Sequence, residues 1–396
     1  MRMIELLWIL LQVLIGYNLI LPVILYLFSL LVKKRKQAIQ PGASLPDYAI
    51  IVTAYEQTDS LPSVVSSLLK LNYGHYIIYI VADKCDVSKL HFLDEKVVLL
   101  RPEMTLASNT KSHFYAINHF IRPHSHLIII DSDNLANPSL LDELNTFFAA
   151  GYQAVQGKRA AKNLDTTYAC LDAARDIYYH FYDGEILFRL GSSATLSGSG
   201  MAFTVDLYRN CLENKPVEGA GFDKVLQSAI VSRNIRIAFA ADALVYDEKT
   251  SKTDQLVQQR SRWINTWFKY YGYGFKLISK GIRNLSINQA LFGLVLLRPP
   301  LFIFLLLSAA CLFINLFVAP VLALYWFVAF ILFILGFFIP FLNQNTDSRI
   351  MKALINIPLF IFYQLKSLLK ARKANQHSVA TKHYHTQASK PINEEL

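Results

Sequence analysis

The sequence predicts an α/β domain with a mostly parallel central sheet, held between apolar segments long enough to cross a bilayer. Three observations carry this. Apolar residues make up 53% of the 396 and charged residues only 17%, against about 25% charged in an average soluble domain. The apolar excess is concentrated near the two ends. Between them, short apolar runs alternate with helix-length segments, the pattern of strands crossed by helices. The composition rules out a disordered chain, which needs low hydrophobicity and high charge. Four cysteines, Cys85, Cys170, Cys211 and Cys311, lie far apart with no C-x-x-C pair, which argues against a zinc ribbon or a disulfide scaffold.

The first element is the 27-residue stretch Leu6–Val32, which carries no charge. A bilayer span needs about 20 residues. Lys33-Lys34-Arg35-Lys36 follows at once, and excess Lys/Arg marks the cytoplasmic side. A cleaved signal peptide is the rival reading, but its apolar run is shorter and ends at small residues. These features set a first segment at 1–36 and carry the chain into the cytoplasm.

A soluble domain over 37–275 comes next. Ala49-Ile50-Ile51-Val52-Thr53 reads as a buried strand. Ser60–Lys70 reads as a helix, with Ser60 as its candidate cap and Leu61, Val64, Val65, Leu68 and Leu69 on one face. Tyr76–Ala82 is strand-like, Asn109–Ile121 helix-like, and Leu127-Ile128-Ile129-Ile130 strand-like. In such sheets ligands bind beyond the carboxyl ends of the strands. The polar residues there are Thr53 and Glu56, Asp83, and Asp131-Ser132-Asp133.

The second apolar block, Pro299–Thr346, has 48 residues without charge, about twice one span. Pro320 near its middle permits a reversal, so two spans are expected near 301–318 and 322–341. With an interfacial segment at 287–297 they form a unit over 276–345. Residues 346–374 form an amphipathic basic segment suited to a membrane surface. The remainder, 375–396, is a polar tail in which His377, His383 and His385 read as mobile residues rather than metal ligands. The net charge of +10 fits the cytoplasmic face of a membrane. No nucleic-acid recognition motif accompanies it.

Two carboxylates one residue apart at a strand end can hold a hard divalent cation, and Mg²⁺ or Mn²⁺ commonly bridges such oxygens to phosphates. Asp131 and Asp133 form that pair; as a local pattern it reads equally as an ordinary turn. Asp83 is either a turn acid or an acceptor for a base or ribose. Lys111 is either a solvated lysine or a phosphate contact at a helix start. Asp223, after Gly219-Ala220-Gly221, is either a first-turn acid or a general base for an acceptor hydroxyl. In Gln259-Arg260-Ser261-Arg262-Trp263, the arginines suit a diphosphate and the tryptophan a sugar face. A surface helix with an interfacial Trp fits equally well.

In this order the motifs resemble the membrane-bound family-two glycosyltransferases, the superfamily of the cellulose, hyaluronan and poly-N-acetylglucosamine synthases. The resemblance rests on Ile80–Asp86, Asp131-Ser132-Asp133, Gly198-Ser199-Gly200-Met201-Ala202-Phe203, Asp223 and Gln259-x-x-Arg262-Trp263. It covers about 46–265. It implies a GT-A fold, a UDP-sugar donor, Mg²⁺ or Mn²⁺, and inverting transfer to a glycan or lipid-linked acceptor. It further implies polysaccharide synthesis at the cytoplasmic face of the plasma membrane. By the same resemblance Thr53, Glu56, Asp83, Lys111, Asp131 and Arg262 face the donor, and Asp133 ligates the metal. Asp223 is the base, and Gly198, Ser199, Gly200, Gln259 and Trp263 line the acceptor side. The chain departs from the family at two places: Glu56-Gln57 stands where Asn-Glu is usual, and Phe222 stands where a Glu usually precedes the catalytic Asp. Three spans are also fewer than polymer-secreting members generally use, which leaves a non-secreting enzyme, further copies or a secretion partner. The rival functions are a non-catalytic membrane scaffold or transporter, and another phosphate-handling enzyme such as a nucleotidyltransferase.

Overall fold

The computed structural model describes residues 3–33, 45–215, 217, 219–344 and 346–374. Lys34-Arg35-Lys36 and the tail at 375–396 lie outside the described residues.

Eight strands form one sheet: β1 (Tyr48–Tyr55), β2 (Tyr76–Asp83), β3 (Val97–Leu100), β4 (His126–Asp131), β5 (Leu135–Ala136), β6 (Ala154–Ala161), β7 (Met201–Thr204) and β8 (Ile237–Asp247). Their order is β3-β2-β1-β4-β7-β6-β8-β5. The first four strands in that order run parallel, and β6 is parallel to β8. β7 runs against both β4 and β6, and β5 against β8, so the sheet is mixed and mostly parallel. In β1 the side chains divide between two cores with a period of two. Ala49 and Ile51 join one, while Tyr48, Ile50, Val52 and Ala54 join the other. A strand covered on both faces reads as a continuous apolar run, which is why β1, β2 and β4 stand out in the sequence.

Helices cover both faces. Leu61–Leu68 and Leu140–Ala149 pack on one, Asn109–Asn118, Val205–Leu212 and Phe222–Ser232 on the other. Ser60 precedes the helix Leu61–Leu68 without capping it through its side chain: its backbone is already helical, so its hydroxyl does not reach the N–H groups of the first turn.

Among the described residues, three helices are long and apolar enough to cross a membrane: Met3–Leu31, Leu301–Val318 and Pro320–Asn343. Ala319 breaks the last two apart and Pro320 opens the second, where its missing N–H costs nothing. Gln12 ties the three together, its side-chain oxygen accepting from Asn315 Nδ2 (2.5 Å) and Trp326 Nε1 (2.7 Å). Buried interhelical hydrogen bonds of this kind hold apolar helices together in lipid. The spans meet the domain through Tyr182. Pro340 lacks an N–H, so the Gly336 carbonyl four residues earlier has no helical donor. The Tyr182 hydroxyl supplies one at 2.6 Å. Tyr182 belongs to a π-helical turn, His180–Ile186, a feature often found at functional sites.

Candidate active site

The carboxyl ends of β1, β2 and β4 stand side by side, with Thr53 in register with Asp131 and Tyr55 with Asp83. Reversed β7 brings its own beginning to the same edge. Met201 pairs with Ile129, so Gly198-Ser199-Gly200 lies against the Asp131-Ser132-Asp133 turn. Gly198 and Gly200 have φ of 92° and 64°, a region open to glycine at little cost. Ser199 was expected on the acceptor side. Instead it is completely buried, and its hydroxyl accepts from the Asp131 N–H (3.0 Å) and Asn134 Nδ2 (2.8 Å). Its part is to fix the shape of the acidic turn.

A cleft of about 550 Å³ opens here. Asp131, Gly198, Asp223, Gln259 and Trp263 line it together. Asp223 stands in the first turn of Phe222–Ser232, whose cap Gly221 has φ 98°. Lys224 Nζ lies 3.2 Å from the Asp223 carboxylate. Gln259 and Trp263 come from the helix Thr253–Tyr270, and Thr250 donates to Gln259 Oε1 at 3.1 Å. Phe222, at the place of the family's usual Glu, is buried and sets its ring 5.0 Å from that of His113.

The remaining expected residues are not among those lining the cleft. Asp83 is buried, and its two carboxylate oxygens accept from the Leu106 (2.9 Å) and Ala107 (2.7 Å) N–H groups, which pins the loop before Asn109–Asn118. Glu56 is exposed and pairs with Lys84 at 2.6 Å. Lys111 is exposed on the first turn of its helix; Asn109 is the residue of that helix that lines the cleft. Asp133 is buried, and Lys162, fully buried, donates to its backbone carbonyl at 2.9 Å. Arg262 is not among the residues lining the cleft; Arg260 is. Two positions along an α-helix are about 200° apart around its axis, so the two arginines face opposite ways.

Sequence reasoning missed a network of buried charges beneath the cleft. Lys249 bridges Asp176 (2.5 Å) and Asp247 (2.6 Å). Arg159 reaches the same pair at 3.3 and 3.5 Å, Arg175 lies 2.8 Å from Asp176, and Arg260 pairs with Asp172. Arg175 and Arg260 also lie 4.0 and 4.2 Å from the Trp263 ring centre, where guanidinium groups are attracted by the ring face. Asp131 differs from all of these. Its carboxylate makes no hydrogen bond or ion pair among the described residues. Burial, then the charge of Asp133, pushes its pKa up to about 7, with Arg159 opposing and Asp247 and Asp223 adding to the rise.

No group of three His, Cys, Asp or Glu side chains forms a ready metal cage among the described residues. A divalent ion bound with a nucleotide does not need one, since one or two carboxylates and the phosphates suffice. The uncompensated oxygens of Asp131, beside Asp133, fit such an ion in charge and in donor type.

The model of the glycosyltransferase like family 2 matches residues 46–266, more than half of the chain. Among solved structures, a mannosyltransferase from Pyrobaculum calidifontis in complex with GDP-Man and Mn²⁺ superposes with a TM-score of 0.58 at 14% identity, over 91% of this chain and 96% of that one. S. aureus TarS superposes with a TM-score of 0.39 at 17% identity, over 61% of this chain and 44% of that one. No curated protein matches the chain. The sheet, the acidic strand end and the family match agree: the chain belongs to the glycosyltransferase like family 2 and has a GT-A-like fold.

Proposed function

We propose that this glycosyltransferase is a membrane-bound, inverting enzyme acting at the cytoplasmic face, which moves a sugar from a nucleotide-diphosphate donor to an acceptor hydroxyl. The observation that carries the reading is the meeting of Asp131, Asp223, Gln259 and Trp263 in one cleft. Asp223 takes the proton of the attacking hydroxyl, which is a poor nucleophile until a positioned carboxylate accepts it. Lys224 stands beside it, Nζ 3.2 Å from the carboxylate. Trp263, its ring held by Arg175 and Arg260, forms part of the acceptor wall, and Gln259 offers a hydrogen bond. Asp131 and Asp133 would hold Mg²⁺ or Mn²⁺, which would supply charge stabilisation to a departing diphosphate. Arg159, Arg175, Arg260 and Arg298 line the cleft; of these, Arg175 and Arg260 stand at Trp263, and in this reading they take the electrostatic part expected of Arg262. Thr53, Asp83 and the loop that Asp83 pins form the nucleotide side.

A UDP-sugar is the donor in this reading, and cell-surface polysaccharide synthesis the role. GDP-mannose is tested beside it because the structural relative was solved with that compound. The full chain in detergent is given UDP-glucose, UDP-N-acetylglucosamine or GDP-mannose, with Mn²⁺ or with a chelator. Metal-dependent release of the nucleotide diphosphate is expected from one of them, with a loss of at least 100-fold for Asp223→Asn. Release from none, or full activity of Asp223→Asn, refutes the reading. Cleavage of the phosphoanhydride bond instead of the sugar–oxygen bond would make the enzyme a nucleotidyltransferase.

A further inference from the structure

The cleft does not end at the polar residues. The same cavity continues along Leu301, Phe302 and Leu305, Phe337, and Phe360 and Ile361. The first three belong to the spanning helix Leu301–Val318 and Phe337 to Pro320–Asn343. The last two belong to Ile357–Lys370, which docks on the domain where the Ser261 hydroxyl donates to the Ser367 carbonyl at 2.9 Å. Pro299 and Pro300, just before the span, also line the cavity. One end of the cavity thus holds Asp223 and Trp263, and the other is walled by helices whose outer faces are apolar and exposed. A free oligosaccharide gains nothing from aliphatic walls, which leave its hydroxyls without partners. An amphiphile satisfies both ends.

Resting on the function proposed above, we propose that the acceptor is a membrane lipid. Its head-group hydroxyl lies at Asp223 and Trp263, and its hydrocarbon chain lies between Leu301–Val318 and Ile357–Lys370. Three features of the structure favour this occupant. The apolar walls are continuous with helices that the bilayer covers. The polar end carries a carboxylate suited to deprotonating a hydroxyl. An acceptor phosphate, already ionised, would need no base. In the transfer, the lipid hydroxyl oxygen bonds to the anomeric carbon, and its proton passes to Asp223. The bond from that carbon to the diphosphate breaks, and its electron pair leaves with the nucleotide.

The full chain is reconstituted in vesicles of the total lipid extract of the cells that express it, with sugar-labelled donor and a soluble oligosaccharide in the buffer. Nucleotide release and the partition of label between organic and aqueous phases are both measured. Label in the organic phase is expected. Ile361→Trp, which fills the apolar end, should lower that label at least tenfold, whereas Ile361→Val should stay within about twofold of the parent. Nucleotide release with label only on the oligosaccharide or on water overturns the lipid acceptor and leaves the glycosyltransferase reading standing. Equal organic label from the parent and Ile361→Trp also overturns it. No nucleotide release from any donor overturns both.

Discussion

Ser199→Ala is the perturbation that tests how the acidic turn is held. The parent hydroxyl is fully buried and accepts two hydrogen bonds, from the Asp131 N–H and from Asn134 Nδ2. Alanine fits the space but leaves both donors without a partner. Asn134 is itself buried, and its side-chain oxygen already has no hydrogen-bond partner. A buried donor stripped of its acceptor costs about 1–3 kcal/mol. Two such losses, eased by some relaxation toward the cleft, give about 3 kcal/mol. At about 2–4 °C per kcal/mol for a domain of this size, the melting temperature falls by about 6–12 °C. Thermal unfolding of the detergent-solubilised chain, followed by tryptophan fluorescence, reads this directly. Because one orphaned donor is the Asp131 amide itself, the Mn²⁺ concentration for half-maximal activity should rise several-fold as well. A purely structural serine would lower the melting temperature and leave the metal dependence alone. A variant that melts within 1 °C of the parent and needs no more Mn²⁺ refutes the claim that this hydroxyl shapes the site.

Tyr182→Phe removes the hydroxyl that donates to the carbonyl Pro340 leaves open, and should cost about 1–3 kcal/mol. In a Pro340→Ala background the helix regains its own N–H, so the same change should cost little; a double-mutant cycle of melting temperatures checks the coupling. Gly221→Ala must place a Cβ 2.6 Å from Thr266 Cγ2 and 2.7 Å from Tyr270 Cε2 at φ 98°. Strain and overpacking together predict a loss of at least about 2 kcal/mol, and activity should fall with it because Asp223 begins that helix. Burial lowers the pKa of His113 to about 3, below its value of 6.5 in the unfolded chain. The unfolded state therefore takes the proton first, and stability falls as pH drops through 6.5, by up to about 1.4 kcal/mol per pH unit. His113→Gln should flatten the stability curve between pH 6.5 and 4.5, measured by melting temperature against pH.

Much of the scaffold was legible because its physics is local. β1, β2 and β4 are buried on both faces and so are unbroken apolar runs, and the acidic turn follows β4 at the place where parallel sheets bind ligands. β6 and β8 were not legible. Gln156, Lys158 and Arg159 interrupt the first, whose end enters a charged interior, and the exposed Asp242 interrupts the second. Asp172 and Asp176 look like solvent-facing acids on an amphipathic helix. They are buried because Arg260 and Lys249 arrive from segments more than 70 residues later, and no local periodicity encodes that meeting. The motif also singled out Arg262 over Arg260. The cleft-lining face of that helix runs from Gln259 and Thr266 round to Arg260 and Ile264, and Arg262 falls just outside that arc.

The distribution of partners in the buried network locates the chemistry. Burying a carboxylate is tolerated only with a compensating charge or donors, and the interior largely obeys this. Asp172 has Arg260, Asp176 has Lys249 with Arg159 and Arg175, Asp247 has Lys249 and Arg159, and Asp223 has Lys224. The cations are already committed around Asp131, and its own carboxylate is left facing the cleft with Asp133, Asp223 and Asp247 all raising its pKa. A fold optimised only for stability would place a neutral residue there. A local rule broken at one residue, in a structure that satisfies it at the neighbours, marks a site whose missing charge comes from outside the chain. In the proposed function, a divalent ion would supply two positive charges at that place, and the nucleotide diphosphate carrying it would supply further oxygen ligands. The unpaired aspartate and the paired ones are therefore parts of one arrangement: the network fixes the walls rigidly, and it leaves open the one position that the donor completes.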